Sequence, residues 1–337
     1  MPIVKTTIKF EKPEDLDKVN FFTAGDFVGN NAGKISTRSV DHCVRVTAQP
    51  FMFDSASFGG VLDHVKVLYL SQPQSVGLDE IFEAKIRLGG QINQPKILPP
   101  FVCDKNDPRL GSVAMVVISN DFLVLDFIIT NDKIYALYER LPFGWGSGPY
   151  SAFTSVHFLK KRKPTDFHDL KIVINKKTKK VEWTADDSSV SIERYGLQPG
   201  KSYNGQTFNN NFHKVLVLTP PGPVSIETDS PQLDSIQAGF GLFTLMDMGE
   251  FQKKHHGHDD SKHHGHCDPI NNQCPSPLQG YLQLTGSPYA FPIDWVYDFT
   301  LPFTGTAKFS NDPNVQTTYG QSGYVDICKL KLRVDRN

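Results

Sequence analysis

The sequence predicts an all-β chain folded as an antiparallel β-sandwich. Three observations predict it. Apolar and polar residues alternate with period two through many short segments rich in β-branched and aromatic side chains. Those segments are separated by Gly, Pro, Asn and Asp, the residues that make turns. Long helical periodicity is missing, so no crossover helices separate the strands. The 337 residues suffice for one large β domain or two average ones, and 39% hydrophobic residues supply a sizeable core.

In chain order, "PEDLDKVNFF" near the start predicts at most a turn or two of helix. The strand segments are then "HCVRVTAQPFMF", "HVKVLYLS", "EIFEAKIRLGG", "VAMVVIS", "FLVLDFIIT", "KIYALYERL", "DLKIVIN", "KVEWTA", "KVLVLTP", "IQAGFGLFTL", "YLQLTG" and "YVDICKLKLRV". No repeat at a fixed period is visible. Two hairpins are readable. In "DLKIVINKKTKKVEWTADD" a polar turn joins alternating strands. In "VLDFIITNDKIYALYERLPFG" the turn is Asn131-Asp132, residue types that tolerate positive φ. The basic run "FLKKRKP", Phe158 to Pro164, reads as a solvated loop beside turn residues.

The second hairpin carries the candidate site. A two-residue turn at Asn131-Asp132 pairs Thr130 with Lys133, Ile128 with Tyr135, Asp126 with Leu137 and Val124 with Glu139. One face then holds Leu123, Leu125, Phe127, Ile129, Ile134, Ala136 and Tyr138 and should be core. The other holds Val124, Asp126, Ile128, Thr130, Tyr135, Leu137 and Glu139. That mixture suits the floor of a cleft. Asp126 and Glu139 are diagonal neighbours, about 7–8 Å apart at the backbone, a separation at which two carboxyls work as acid and base. His64, in "LDHVK", joins them as a third candidate acid–base group. Tyr135, Tyr138, Arg140 and, in the Gly-rich "LPFGWGSGPYSAF", Trp145 and Tyr150 are candidate ligand contacts.

The stretch "KKHHGHDDSKHHGHCDPINNQC" puts His255, His256, His258, His263, His264 and His266 beside Cys267 and Cys274. Imidazole and thiolate suit Zn, Ni or Cu, yet no set of four ligands stands out. The run reads as a His-rich loop, residues 252–278, inserted into a single sandwich spanning 1–337. The proposed acid–base chemistry itself requires no cofactor.

Composition excludes several classes. Lys+Arg is 35 and Asp+Glu is 36, a balance unlike that of a nucleic-acid-binding chain. No apolar stretch approaches the roughly 18 residues of a membrane span. "MPIVKTTIKFEKPEDLD" turns charged too early for a signal peptide, and no N-x-S/T acceptor occurs, so the expectation is a cytoplasmic chain, or a secreted one if a leader has been removed. The 5 cysteines are odd in number and scattered, unlike a disulfide framework; Cys267 and Cys274 are close enough to pair or to share a metal. Nucleotide-binding and serine-hydrolase fingerprints are missing.

"EIFEAKIRLGG" (Glu80 to Gly90) and "FHDLKIVINKKTKKVEWTADD" (Phe167 to Asp187) resemble the paired strands of the concanavalin A-like jelly roll. That fold is shared by legume-type lectins, laminin G-like modules and laminarinase-type glycosidases. The Glu-x-Asp-x-(x)-Glu strand motif of those glycosidases does not occur here; "LDFIITND" offers only Asp126 and Asp132. A resemblance over most of the chain is carried by "LDHVKVLYL", "FIITNDKIYALYERLPFG", "FHDLKIVI", "AGFGLFTLMD" and "TTYGQSGYVDICKLKLRV". These look like an uncharacterised domain-of-unknown-function family with bacterial and eukaryotic members, which implies no activity.

Three function classes follow. The first is a sandwich that binds a small molecule or carbohydrate, including a lectin-like protein. The second is a cofactor-independent lyase, isomerase, cyclase or glycosidase using Asp126, Glu139 and His64. The third is a structural or interaction protein without a ligand site.

Overall fold

The computed structural model describes residues 3–22, 34–51, 65–93, 104–108, 110–140, 153–196, 231–244 and 322–335, with the backbone of five further two-residue strands. From the N-terminus come β1 (Ile3–Lys9), a 3-10 helix (Pro13–Lys18), β2 (Asn20–Phe21), β3 (Lys34–Val40), β4 (Cys43–Gln49), β5 (Val65–Leu70), β6 (Gln74–Ser75) and β7 (Ile81–Asn93). The middle holds β8 (Ser112–Ser119), β9 (Leu123–Ile129), β10 (Lys133–Arg140), β11 (Phe153–Lys161), β12 (His168–Asn175), β13 (Lys180–Ala185) and β14 (Ser188–Ile192). Then follow β15 (Ser202–Tyr203), β16 (Gln206–Thr207), β17 (Leu216–Val217), β18 (Ser235–Phe243), β19 (Gln252–Lys253), β20 (Trp295–Val296) and β21 (Ser322–Asp335).

The expected all-β antiparallel sandwich is what forms. An eight-stranded sheet runs β14-β13-β12-β7-β21-β4-β3, with β1 also paired to β21. A nine-stranded sheet runs β17-β11-β10-β9-β8-β18-β5-β2, with β6 on β18. The last strand, β21, lies between β4 and β7, and β18 lies between β5 and β8. Strands far apart in the chain are thus neighbours in each sheet, which is the wrapped connectivity of a jelly roll. The inner faces meet in one apolar core that includes Phe10, Phe82, Phe127, Trp183 and Phe240. Each such side chain removed from water stabilises by about 1.5–3 kcal/mol. At Gly239 in β18 the backbone of β5 comes so close that a Cβ would lie 1.7 Å from the Tyr69 carbonyl oxygen, so only glycine fits.

Four of the strands longer than two residues were not expected. β1, β3, β11 and β14 mix Ser, Thr, Lys or Arg among their apolar residues, so their alternation was weak in sequence. Of the presumed loop "FLKKRKP", Phe158 to Lys161 end β11 and Arg162 is buried. The N-terminal helix is a single 3-10 segment. Asp15 closes it by accepting from the Glu11 and Lys12 backbone N–H groups at 2.8 and 3.0 Å and from Lys18 Nζ at 2.6 Å.

The cysteine expectation is corrected as well. Cys43, at the start of β4, and Cys328, in β21, form a disulfide across 285 residues of sequence. Their spacing in sequence hid the pair; the β4–β21 ladder, in which Ile327 faces Val44, brings them together. Cys103, Cys267, Cys274 and the His-rich residues 254–278 lie outside the described residues.

Candidate functional site

The hairpin forms with the expected register. Tyr135 pairs with Ile128, Leu137 with Asp126 and Glu139 with Val124. The Thr130 N–H donates to the Lys133 carbonyl at 2.9 Å. Thr130 Oγ1 donates to Asp132 Oδ1 at 3.0 Å and accepts from the Lys133 N–H at 3.1 Å, which ties the turn. Asn131 does something period and propensity do not reveal. Its side-chain amide donates to the Ile92 carbonyl at 2.8 Å and accepts from the Ile92 N–H at 3.0 Å. The turn is thereby docked on β7 of the opposite sheet.

The two faces separate as expected. Leu123, Leu125, Phe127, Ile129, Ile134, Ala136 and Tyr138 all enter the core. Asp126 and Glu139 share the outer face of the nine-stranded sheet with Val124, Ile128, Tyr135 and Leu137. That face is not an open floor. Val124, Ile128, Tyr135, Leu137 and Val156 make a buried apolar cluster of their own, and Asp126 among them is only 6% exposed. Glu139 is half-buried.

Asp126 has a backbone reason to be there. The β8–β9 ladder pairs Met115 with Phe127 and Ile118 with Val124, and is interrupted between those rungs. In the gap the Val117 N–H donates to Asp126 Oδ1 at 3.0 Å. The side chain supplies the acceptor the ladder omits, which an apolar residue would leave missing. Burial pushes the Asp126 carboxyl well above its usual range; the Val117 N–H pulls the other way, and the charge of Glu139 adds to the rise.

A stability prediction follows with a defined sign. Because the folded-state affinity for the proton exceeds the unfolded one, the contribution of Asp126 is fully present below the unfolded carboxylate value near 3.8. It is lost as pH rises through the elevated folded value. Asp126→Asn keeps an acceptor for Val117 and cannot ionise. Relative to the parent chain it should melt at a similar temperature at pH 4 and at a higher one at pH 8. Thermal melts of both proteins at the two pH values check this; a variant equally destabilised at both would mean the proton on Asp126 is irrelevant.

The remaining candidates divide. Tyr135 lies on the Asp126 face with its ring edge-on to Phe158, 5.9 Å between centroids. Burial, then the charges of Asp107, Asp132 and Asp104, push its hydroxyl well up, so it stays a phenol. Tyr138 is fully buried in the core, and its hydroxyl accepts from the Gly196 N–H at 2.6 Å. Arg140 shares the Tyr138 side of β10 and is buried. Alternation along β10 puts both opposite Tyr135 and Glu139. His64, Trp145 and Tyr150 lie outside the described residues. So do the metal candidates His255, His256, His258, His263, His264 and His266. Among the described residues no three His, Cys, Asp or Glu side chains gather as a metal would need.

A second polar cluster was not anticipated. Arg162, 8% exposed, donates from Nη1 to the Thr130 and Gly90 carbonyls at 2.8 and 3.2 Å. Its Nη2 reaches the Gly90, Pro164 and Asp166 carbonyls at 3.2, 3.2 and 3.0 Å. Its Nε donates to His168 Nε2 at 3.2 Å. A guanidinium only donates, so His168 Nε2 accepts, and the imidazole proton sits on Nδ1, 2.8 Å from Asp186 Oδ2. Asp186 also takes the Asp169 N–H at 2.9 Å and Lys160 at 3.1 Å. Although burial opposes it, these bonds hold its carboxyl below the usual range. Asp186 and His168 resemble half of a charge relay, but the far imidazole nitrogen is occupied by Arg162. The cluster is a clamp joining the two sheets, and "FHDL" and "RKP" were its only traces in sequence.

The sequence profile of a group described as "Family of unknown function (DUF6081)" matches residues 35–266. "Uncharacterized protein L829" of Acanthamoeba polyphaga mimivirus is 26% identical over 271 residues, which cover 64% of this chain and 57% of that protein. The chain therefore spans somewhat over half the length of the curated relative it matches. Among solved structures, an apo Crh5 transglycosylase aligns with TM-score 0.39 and 8% identity, over 97% of this chain and 83% of its own. A basic winged bean lectin with Tn-antigen aligns with TM-score 0.32 and 10% identity, over 99% of each chain. At these scores no residue of theirs is matched to one here, and their ligands and reactions are theirs alone.

Proposed function

We propose a function for a chain that belongs to the DUF6081 family of unknown function: it binds a small neutral organic ligand, with carbohydrate the first class to test, at the Asp126–Glu139 face. One observation carries the reading. Two carboxyls lie as diagonal neighbours on one face in unlike surroundings, Asp126 buried and held toward its protonated form, Glu139 half-buried. Pairs of acids whose environments differ in this way are the usual basis of donor and acceptor roles. Asp126 would give a proton, Glu139 would take one, and Tyr135 would donate a further hydrogen bond. The dry apolar cluster around them strengthens such interactions. The reaction class, if there is one, is lyase, isomerase, cyclase or glycosidase chemistry without a cofactor. A purely structural reading is favoured by the Val117–Asp126 bond, which accounts for Asp126 without any ligand.

The compartment belongs to the same proposal. A covalent Cys43–Cys328 link supports an oxidising setting over the cytoplasm expected from the N-terminus.

The test is calorimetric titration with cello-, laminari-, chito- and manno-oligosaccharides, with product analysis after long incubation. Glu139→Gln should keep the parent melting temperature and lose about tenfold or more in binding or turnover, the ordinary size of an acid–base contribution. If no sugar binds, or if Glu139→Gln and Asp126→Asn both behave as the parent, the structural reading replaces this one.

A further inference from the structure

The outer face of the eight-stranded sheet carries a feature that the balanced net charge of −1 conceals. Residues with odd numbers on β7, β12 and the C-terminal half of β21 point away from the core, because Ala84, Ile86, Leu170, Ile172, Leu330 and Leu332 point into it. The register then lines up like charges. Lys331 faces Lys85, and Lys85 faces Lys171, so three lysines stand side by side on three adjacent strands. In the next row Lys9 faces Lys329, and Lys329 faces Arg87.

Directly opposed like charges destabilise a sheet. Acidic relief on this face is partial: Glu83 takes Lys85 at 3.0 Å and Asp169 takes Arg87 at 3.0 Å. Lys9, Lys171 and Lys331 have no ion-pair partner among the described residues, and Lys329 feels only the more distant charge of Asp169. The crowding is felt, since the nearby Lys331 side chain, and less so Lys9, hold the Lys329 ammonium below its usual range. A sheet that only needed a soluble surface would intersperse the two signs.

We infer that this face docks a linear polyanion, and that the polyanion is a carboxylated polysaccharide. Charge complementarity sets the sign, and the sheet sets the shape. Neighbouring strands are about 4.8 Å apart, so each lysine row presents cations at roughly the repeat of one sugar, and a uronate chain carries one carboxylate per sugar. Single-stranded nucleic acid would want aromatic platforms between the cations, and the rows hold none. A membrane surface would want apolar side chains beside them. Of the exposed large apolar side chains among the described residues, Ile3, Leu78 and Phe158, only Ile3 belongs to this face, at the end of β1. The inference uses none of the residues at the Asp126 face and stands apart from the proposal made for it.

The experiment is binding of the full chain to polygalacturonate, with its highly methyl-esterified form as the uncharged control. Duplex DNA and vesicles of phosphatidylserine in phosphatidylcholine are the competing anions. The expected result is salt-sensitive binding to polygalacturonate alone, weakened about tenfold in Lys171→Glu/Lys331→Glu and less in Lys171→Gln/Lys331→Gln. Asp126→Asn should bind it as the parent does. Melting temperatures confirm that the lysine variants, altered only at a solvated face, still fold. Absence of binding, equal binding to the esterified polymer, an unaffected double variant, or tighter binding to DNA or vesicles would each overturn the inference.

Discussion

Arg162→Ala is expected to lose roughly 3–5 kcal/mol of stability, because at least two buried acceptors are left without a donor at about 1–3 kcal/mol each. The side chain satisfies the carbonyls of Gly90, Thr130, Pro164 and Asp166 and the Nε2 of His168. Thr130 lies at the β9–β10 turn of the nine-stranded sheet, and Gly90 is in β7 of the eight-stranded one. Removing the guanidinium leaves buried acceptors without donors on both sides of the sandwich, and each unsatisfied group costs about 1–3 kcal/mol. Against a total of about 5–15 kcal/mol this is a large fraction. Arg162→Lys keeps a charge but loses the planar fork, so it should fall between the parent and Ala. Urea and thermal unfolding of the three proteins measure the series. A parent-like Arg162→Ala would mean the clamp is ornamental and the sheets are held by the core alone.

The second large effect concerns the Cys43–Cys328 disulfide. The link closes a loop of 285 residues, and constraining so long a loop in the unfolded chain stabilises by about 2–5 kcal/mol in typical proteins. It also ties β4 to β21 at the point where the β21–β7 register shifts between Ile327 and Lys329. Cys43→Ser/Cys328→Ser, or the parent under strong reductant, should therefore unfold at markedly lower temperature or denaturant. Alkylation and mass analysis of the untreated chain should find both thiols blocked. Free thiols at both positions in protein secreted through an oxidising pathway would contradict the link and, with it, the proposed compartment.

The candidate hairpin shows how much of a site was legible. Its register, its turn and the sorting of residues into two faces all followed from period-two alternation about Asn131-Asp132, because paired residues in a hairpin must share a face. The same rule made Tyr138 a core residue, a point that outweighs its appeal as a ligand contact. What alternation cannot report is whether the second face of a sheet is wet. Asp126 sits there only 6% exposed, and its bond to Val117 depends on a break in the β8–β9 ladder that no pattern announces.

The sequence by itself determined the all-β class, most of the longer strands and the hairpin register. Those properties are local: turn chemistry, strand propensity and the pleat act over a few residues. Tertiary structure alone decided the Cys43–Cys328 link, the docking of Asn131 on Ile92, the Arg162–His168–Asp186 clamp and the lysine rows of the outer sheet. Each of these joins residues far apart in the chain, brought side by side by a jelly-roll wrap that interleaves its ends. Sheet order is set by which strands bury their apolar faces together, and strands of similar composition do not name their partners.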